Sequence, residues 1–527
     1  MIRRLLLTLL FCSLGMLAMV SAQNSKYWVF LKNKKSVTFD PYSYFDKKAI
    51  ERRIANGISL VDSTDFPLNS IYETSITSLA DSVSHSSRWF NAMCVYASSE
   101  KIEEIRNLPF VSDVELMESA PIACSVEGAG WDTTLNASMT SILEKQTKRM
   151  GGDLFENAGI DGKGIRIAIF DGGFPSVNTS PVFEQIRKEN RIIKTWDFAK
   201  NKEFVYGYMS HGTMTMSCIA GMIKGKKIGL ATGAEFLLAR TEVKREIFSE
   251  EENWLAAVEW ADKNGADIIS SSLGYTYQRY FQNQMDGKTT LVTRAANFAA
   301  RKGMLVVNAA GNDGDNDWHI VGAPADADSC LSVGGIDPIT DFHITFSSLG
   351  PTWDKRAKPN ISTFGHVAAA GKNGMQQVDG TSFACPLAAG FAACAWQMNR
   401  SLKNMQMFLE IEKSADLYPY FDYAHGFGVP QASYFTENKK QISDTSFDFV
   451  KKEDVLKVMV RQAYLDKKTG GFQSHLYYNI QDTDGLLTEY NVILVSSNEV
   501  LSFRTSNYKK GEKLNVHLGS YTGSYTF

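Results

Sequence analysis

Between residues 161 and 435, short runs of almost unbroken apolar residues alternate with longer stretches whose apolar positions recur every three or four residues. Residues 165–170, 235–239, 267–271, 304–307 and 330–333 are of the first kind, and residues 251–263 and 289–301 of the second. An apolar run with no polar face suits a strand covered on both sides, as in a parallel sheet with helices on each face. The amphipathic stretches suit the covering helices. The alternation therefore predicts an α/β unit with a doubly wound, mostly parallel sheet.

The texture differs on either side of this unit. Upstream, residues 89–96 read as a strand, Ser99 as the cap of a helix carrying Ile102, Ile105 and Leu108, Pro109 as its end, and residues 110–116 as a second strand. This element predicts an N-terminal α+β unit over residues 23–145, joined to the next by the polar, glycine-containing stretch 127–138. Downstream of Lys439-Lys440, residues 474–480, 490–495 and 500–503 are short strands with no long helix among them. A small all-β C-terminal domain over 441–527 is predicted, which leaves residues 146–440 to the α/β unit.

The first 22 residues stand outside this pattern. Arg3-Arg4, an apolar run over 5–20 and the small residues of Val20-Ser21-Ala22 read as a secretory signal peptide cut after Ala22. The run is short for a ~30 Å hydrocarbon core and is broken by Ser13 and Gly15, which weighs against a membrane anchor. The mature chain is expected to be exported: secreted, periplasmic or at the cell surface.

Composition narrows the picture further. Hydrophobic residues at 44% and charged residues at 21% exclude wholesale disorder. Lys+Arg 55 against Asp+Glu 58 leaves no basic excess to neutralise a phosphate backbone, so no nucleic-acid partner is expected. Beyond Cys12 there are Cys94, Cys124, Cys218, Cys330, Cys385 and Cys394, too few in an exported chain of this length to staple it. Cys385 and Cys394 are separated by a helical rise of ~13.5 Å, too far for a disulfide, and read as buried thiols. With neither a C-x-x-C pair nor H-E-x-x-H, no residue is assigned to a metal.

Three segments of the α/β unit carry candidate chemistry. Asp171, in Ala168-Ile-Phe-Asp171-Gly-Gly, follows a buried strand at the carboxyl edge of the sheet, where open α/β sheets bind ligands. His211, in Ser210-His211-Gly-Thr213, lies near a helix start that Ser210 is placed to cap. Ser382, in Asp379-Gly380-Thr381-Ser382-Phe-Ala-Cys-Pro386, begins a helix with Pro386 in its first turn. Free N–H groups and positive partial charge at such a helix start suit a developing oxyanion. Each segment alone has an ordinary structural reading as turn, core histidine or cap; together, in the order Asp, His, Ser, they do not.

These segments resemble the subtilisin-like serine peptidases. Leu305-Val-Val-Asn-Ala-Ala310-Gly-Asn312-Asp-Gly314 resembles the family's oxyanion region, and Ser270-Ser-Ser272-Leu273-Gly274 its substrate-pairing strand. Phe346-Ser-Ser-Leu-Gly-Pro351 with Lys358-Pro359 is also similar, and the stretch around Glu251-Glu-Asn-Trp254 resembles exported subtilases of Bacteroidetes-type bacteria. The chain departs from the family at Met214, where His is usual, at Gly172, Asn360 and Thr363-Phe364. None of these supplies a triad atom.

The resemblance implies a secreted serine endopeptidase of the EC 3.4.21 type, made as a self-processed precursor. Asp171, His211 and Ser382 would form the triad, and the Asn312 amide and Ser382 N–H would hold the oxyanion. Ser272, Leu273 and Gly274 would pair with extended polypeptide substrate, and Ala309, Ala310 and Gly311 would border the pocket for the residue before the scissile bond. Residues 23–145 would be an inhibitory, chaperone-like pro-region and thus a partner of the catalytic unit, which is expected to be a monomer. Calcium is the cofactor the family implies; Asp313, Asp315 and Asp317 alternate in one loop but lack the spacing of an EF-hand, and read better as a solvated acidic turn. Three rival readings are an inactive peptidase fold that binds peptides, a surface-binding protein whose β domain is the functional part and whose α/β unit is processing machinery, and a serine esterase. The esterase would need a G-x-S-x-G elbow and the order Ser, Asp, His.

Overall fold

The computed structural model describes residues 24–117, 135–243, 249–277, 279–437, 444–466, 474–495 and 497–527, with the backbone alone at 122–123 and 245–246. The predicted signal peptide, Cys12, Cys124 and residues 127–134 of the linker stretch lie outside the described residues.

The N-terminal unit is a four-stranded antiparallel sheet of β1 (Ser25–Leu31), β2 (Ser82–Ser87), β3 (Ala92–Ala97) and β4 (Val111–Met117), in the order β2-β3-β1-β4. Its helices are α1 (Lys47–Asn56), α2 (Ser70–Leu79) and α3 (Ser99–Arg106). Without the segment 32–69, the order β1-α2-β2-β3-α3-β4 is the ferredoxin-like pattern. Successive side chains of a strand point to opposite faces. Val29, Met93 and Val95 therefore pack on α2 and α3 (Ile76, Ile102, Ile105), while Trp28, Cys94 and Met117 face the next unit. The predicted strand over 89–96 begins only at Ala92, because Asn91 turns the chain with φ 49°. Ser98, not Ser99, caps α3, accepting from Lys101 N–H.

The α/β unit holds a seven-stranded parallel sheet of β5 (Arg166–Asp171), β6 (Ile192–Asp197), β7 (Glu235–Arg240), β8 (Ile268–Ser271), β9 (Leu305–Ala309), β10 (Cys330–Ile336) and β11 (Ile361–Phe364). The order is β11-β10-β9-β8-β5-β7-β6. One face is covered by α4 (His211–Ala220) and α7 (Thr381–Met398), the other by α5 (Ser249–Lys263) and α6 (Leu291–Arg301). Helix α7 is apolar almost all round and buried, as a helix beneath other elements must be. Strands β6 and β11 escape the apolar-run criterion: β6 is a half-exposed edge carrying Lys194, and β11 (ISTF) is half polar.

The C-terminal unit pairs β12 (Phe447–Lys452), β13 (Val455–Val460) and β16 (Glu499–Arg504) in one antiparallel sheet. A second holds β15 (Leu487–Val495), β14 (Ser474–Gln481), β17 (Lys513–Leu518) and β18 (Tyr521–Thr526) in that order. Leu456, Val458 and Phe503 of one sheet and Leu476, Ile480 and Val516 of the other form a single core between them. Asn479 Nδ2 donates to Phe421 O (2.7 Å), one of the contacts joining this unit to the α/β unit. The α/β sheet with an α+β unit before it and an all-β unit after it is the fold class expected from the sequence.

Candidate active site

Asp171 ends β5 and is fully buried, while His211 opens α4. Gly212 lets the two come together, since a Cβ there would lie 2.4 Å from Gly173 O and 3.0 Å from Asp171 Cβ. Ser210 precedes α4 but makes no side-chain cap bond, so the capping expected of it is absent. His211 Nδ1 stands 2.9 and 3.0 Å from the two Asp171 oxygens. The same carboxylate accepts from Gly172 N–H (2.7 Å) and from the Thr215 hydroxyl (3.0 Å). A carboxylate accepts only, so the network assigns the proton to Nδ1 and leaves Nε2 as the basic nitrogen. Burial pulls the His211 pKa down, and the charge and hydrogen bond of Asp171 more than offset it, leaving it above the ordinary histidine value.

Sequence reading missed Thr215 and Arg240. Thr215 is one helical turn beyond His211, and that i,i+4 spacing is a usable signal. Arg240 ends β7 and is buried; its Nε donates to Gly172 O (3.1 Å), its Nη1 to Asp197 (2.8 Å) and its guanidinium lies 3.7 Å from the Tyr208 ring centroid. Tyr208 holds φ 70°, three residues before His211. One side chain thus ties the turn after Asp171 to the chain leading into His211. Only register in the sheet, which pairs Arg240 with Asp171, brings it there.

Ser382 is the second residue of α7, which starts at Thr381 after Gly380 with φ 141°. Pro386 is therefore the sixth residue and not in the first turn, correcting the expectation above. A proline inside a helix withholds the N–H that would bond the carbonyl four residues back. That carbonyl belongs to Ser382, and the Ser272 hydroxyl donates to it (2.8 Å). In return the Ser382 hydroxyl donates to Ser272 O (3.2 Å). The Phe383 ring centroid lies 5.4 Å from that of His211, so the starts of α4 and α7 are side by side.

Asn312 follows β9 and is exposed. Its Oδ1 accepts from both Thr381 N–H and Thr381 Oγ1, each at 2.9 Å. A backbone N–H can only donate, which fixes the amide orientation and leaves Nδ2 on the side away from Thr381. Ser272, Leu273 and Gly274 continue β8; Leu273 O accepts from Asn308 Nδ2 (2.8 Å), and Gly274 is exposed with open space beside its Cα. Ala309 and Ala310 are buried at the end of β9, and Gly311 O accepts from Ser348 N–H (2.9 Å). The structure thus brings Asp171, His211, Ser382, Asn312 and the 272–274 and 309–311 segments to one edge of the sheet, the carboxyl ends of its strands.

Among the described residues no group of three or more His, Cys, Asp or Glu side chains is arranged to hold a metal ion. In the loop of Asp313, Asp315 and Asp317, Asn316 donates to Asp313 Oδ1 (2.7 Å), while Asp315 and Asp317 are exposed. Among those residues, too, no helix is long and apolar enough to cross a membrane.

The N-terminal unit lies against α5 and α6. Trp28, Trp89 and Phe90 pack with Trp254, Leu255 and Ala295. At the centre Glu259 of α5 accepts from Ser87 Oγ, Arg88 N–H (3.0 Å) and Trp89 N–H (3.2 Å). Burial pushes its carboxyl up to about 7, against the opposing pull of those donors.

The model of the subtilase family matches residues 162–438, and that of the peptidase S8 propeptide domain of Bacteroidota matches residues 26–129. The chain is 28% identical over 230 residues to the thermophilic serine proteinase of Bacillus sp. (strain AK1), covering 43% of this chain and 52% of that one; it thus spans about half the length of that relative. It is 28% identical over 305 residues to alkaline elastase YaB of Bacillus sp. (strain YaB), covering 58% of this chain and 71% of that one. Among solved structures, sphericase superposes with a TM-score of 0.43 at 24% identity, covering 52% of this chain and 92% of that chain. With its family model matching more than half of its length, this chain belongs to the subtilase family of serine peptidases and carries an S8 propeptide domain ahead of the peptidase unit.

Proposed function

We propose that the protein is an exported serine endopeptidase that cuts peptide bonds through an acyl-enzyme and removes its own N-terminal pro-region. The observation that carries this reading is the Asp171–His211 pair set beside the start of α7, where Ser382 is presented. A serine hydroxyl is a poor nucleophile until a base takes its proton. Turning from Ser272 O to His211 Nε2, the Ser382 hydroxyl loses its proton to the imidazole as Oγ attacks the scissile carbonyl. Asp171 holds the imidazole and stabilises its cation. The tetrahedral oxyanion is held by Asn312 Nδ2 and Ser382 N–H, and its collapse expels the amine, which takes the proton from His211. Water, activated by the same base, releases the acid product.

In this reading residues 1–22 are the signal peptide, 23–145 the pro-region, 146–440 the catalytic domain and 441–527 a C-terminal β domain. Extended substrate pairs along Ser272, Leu273 and Gly274, as strand addition allows, and Ala309–Gly311 border the first pocket. A fluorophosphonate probe tests the core of the reading. The mature protein should be labelled at Ser382 and nowhere else; no adduct, or an adduct on another residue, identifies an inactive peptidase fold. Ser382→Ala should in turn accumulate as a precursor beginning near Gln23. Equal trimming of that variant and the wild type would assign maturation to another enzyme.

A further inference from the structure

Residues 40–66 lie outside the ferredoxin-like pattern of the N-terminal unit. Chemistry sits at the carboxyl ends of the strands; this segment reaches the opposite edge. Its α1 lies where β5, β7, β8 and β9 begin. Asp46 N–H donates to Lys263 O at the end of α5 (2.8 Å), and Lys48 Nζ donates to Gly164 O just before β5 (2.7 Å). Lys48 also pairs with Asp267 (3.3 Å), which precedes β8. Arg166, the first residue of β5, pairs with Asp46 (3.1 Å). A six-residue strand is ~20 Å long, so these contacts and the triad are separated by the length of the sheet.

Beneath them is a set of charges, all buried but the half-exposed Asp62. Arg53 is 0% exposed and pairs with Asp65 (2.7 Å) within the segment and with Asp262 of α5 (2.6 Å) across the boundary. Arg52 pairs with the other Asp262 oxygen, and its Nε donates to Lys302 O (3.2 Å). Lys302, between α6 and β9, pairs with Asp65 (3.0 Å) and Asp62 (3.1 Å). Three cations thus meet three carboxylates, contributed from both sides of the boundary. A buried pair of this kind adds little over an apolar contact but is costly to break on one side, and salt screens it weakly.

We propose that residues 40–66 are a latch that keeps the pro-region on the catalytic domain after the chain between them has been cut. The inference rests on reading residues 23–145 as a pro-region. Because the latch and the triad occupy opposite edges of one sheet, a cut made at the triad leaves every latch contact in place. The processed enzyme is then held as two fragments for longer than the sheet face against α5 and α6 alone would hold it.

The test separates this from self-processing. In the full-length Ser382→Ala chain, a recognition sequence for an unrelated protease is placed within residues 127–132 and cut with that protease, so that no step depends on the chain's own activity. Size-exclusion chromatography with intact-mass detection then asks whether the two fragments travel together, at low salt and at about 1 M salt. Co-elution in both, with a dissociation rate at least tenfold faster in Arg53→Met and in Asp262→Asn, is the expected result. Lys48→Ala, which touches only the outer pairs, serves should Arg53→Met fail to fold, and should speed dissociation about threefold. Separation of the wild-type latch fragments at low salt overturns the proposal. So does co-elution that none of the three variants weakens, which would leave retention to the sheet face against α5 and α6.

Discussion

The Ser272 hydroxyl and the Ser382 carbonyl, 2.8 Å apart, close the gap that Pro386 opens in its own helix. The proline bends no bond of the first turn, where Ser382 sits, but it removes the donor that turn would otherwise receive. A side chain from the adjoining strand supplies the donor instead, and so links the 272–274 segment to the start of α7.

Ser272→Ala should leave the Ser382 carbonyl without a donor and destabilise the protein by ~1–3 kcal/mol. In a Pro386→Ala background the helix regains its own N–H, and the same substitution should then lower the melting temperature less. A double-mutant cycle read by thermal unfolding gives the coupling directly. Additive effects would show that the two residues act separately.

In the proposed mechanism hydrolysis requires neutral His211. Since Asp171 lifts the imidazole above its ordinary value of ~6.5, the acid limb of kcat/KM should have its midpoint above that value, with rate lost as pH falls through it. Asp171→Asn should move the midpoint down and lower kcat sharply, because the tautomer is no longer fixed. A limb centred well below 6.5 in the parent enzyme would remove His211 from the role of base.

Asn312 is exposed and touches the helix start only through its Oδ1. Asn312→Ala leaves two donors of buried Thr381 without their acceptor and should lower the melting temperature modestly, while reducing kcat ~10²–10³-fold, a magnitude that comes from subtilisin itself. Steady-state kinetics should show KM moving little. A large rise in KM at constant kcat would make Asn312 a substrate contact instead of an oxyanion donor.

Burial beneath the pro-region holds the Glu259 carboxyl at about 7. Returned to water it falls to the ordinary ~4.3, so docking takes up a proton between those two values. Binding is therefore tightest below the lower value, weakens as pH rises toward about 7, and is flat above it. In the cut Ser382→Ala complex, dissociation should be faster at pH 8 than at pH 5, and Glu259→Gln should flatten the difference. Equal rates in the parent would show that Glu259 is not the group that titrates.

The layers of this molecule were legible where one residue's chemistry decides its place. Unbroken apolar runs marked the inner strands β5, β7, β8, β9 and β10, and Asp171, His211 and Ser382 stood in short motifs at their ends. Strands β6 and β11 were not legible, because an edge strand with Lys194 and a half-polar ISTF segment lack that signature. The helix start at Thr381 was misplaced by one residue, since Thr and Ser are both acceptable at a helix start, and Pro386 lies beyond the first turn from either start. Arg240 had no local signal at all; strand register alone brings it to Gly172. The latch was equally hidden, because Arg52-Arg53 in an amphipathic helix reads as a solvated face until Asp262 and Lys302 are set against it.

Among the described residues the five cysteines are free and buried, and Cys94 differs from the others in its company. Cys218, Cys330, Cys385 and Cys394 lie inside the catalytic unit, whereas Cys94 sits on the face of the pro-region sheet pressed against α5 and α6. Burial pushes its thiol far up, so it is inert to alkylation while the two units are together. The protein thereby contains its own pair of clocks. Modification of Cys94 times the parting of the two fragments, modification of the other four times the melting of the peptidase, and peptide mapping after a pulse of iodoacetamide reads both from one sample.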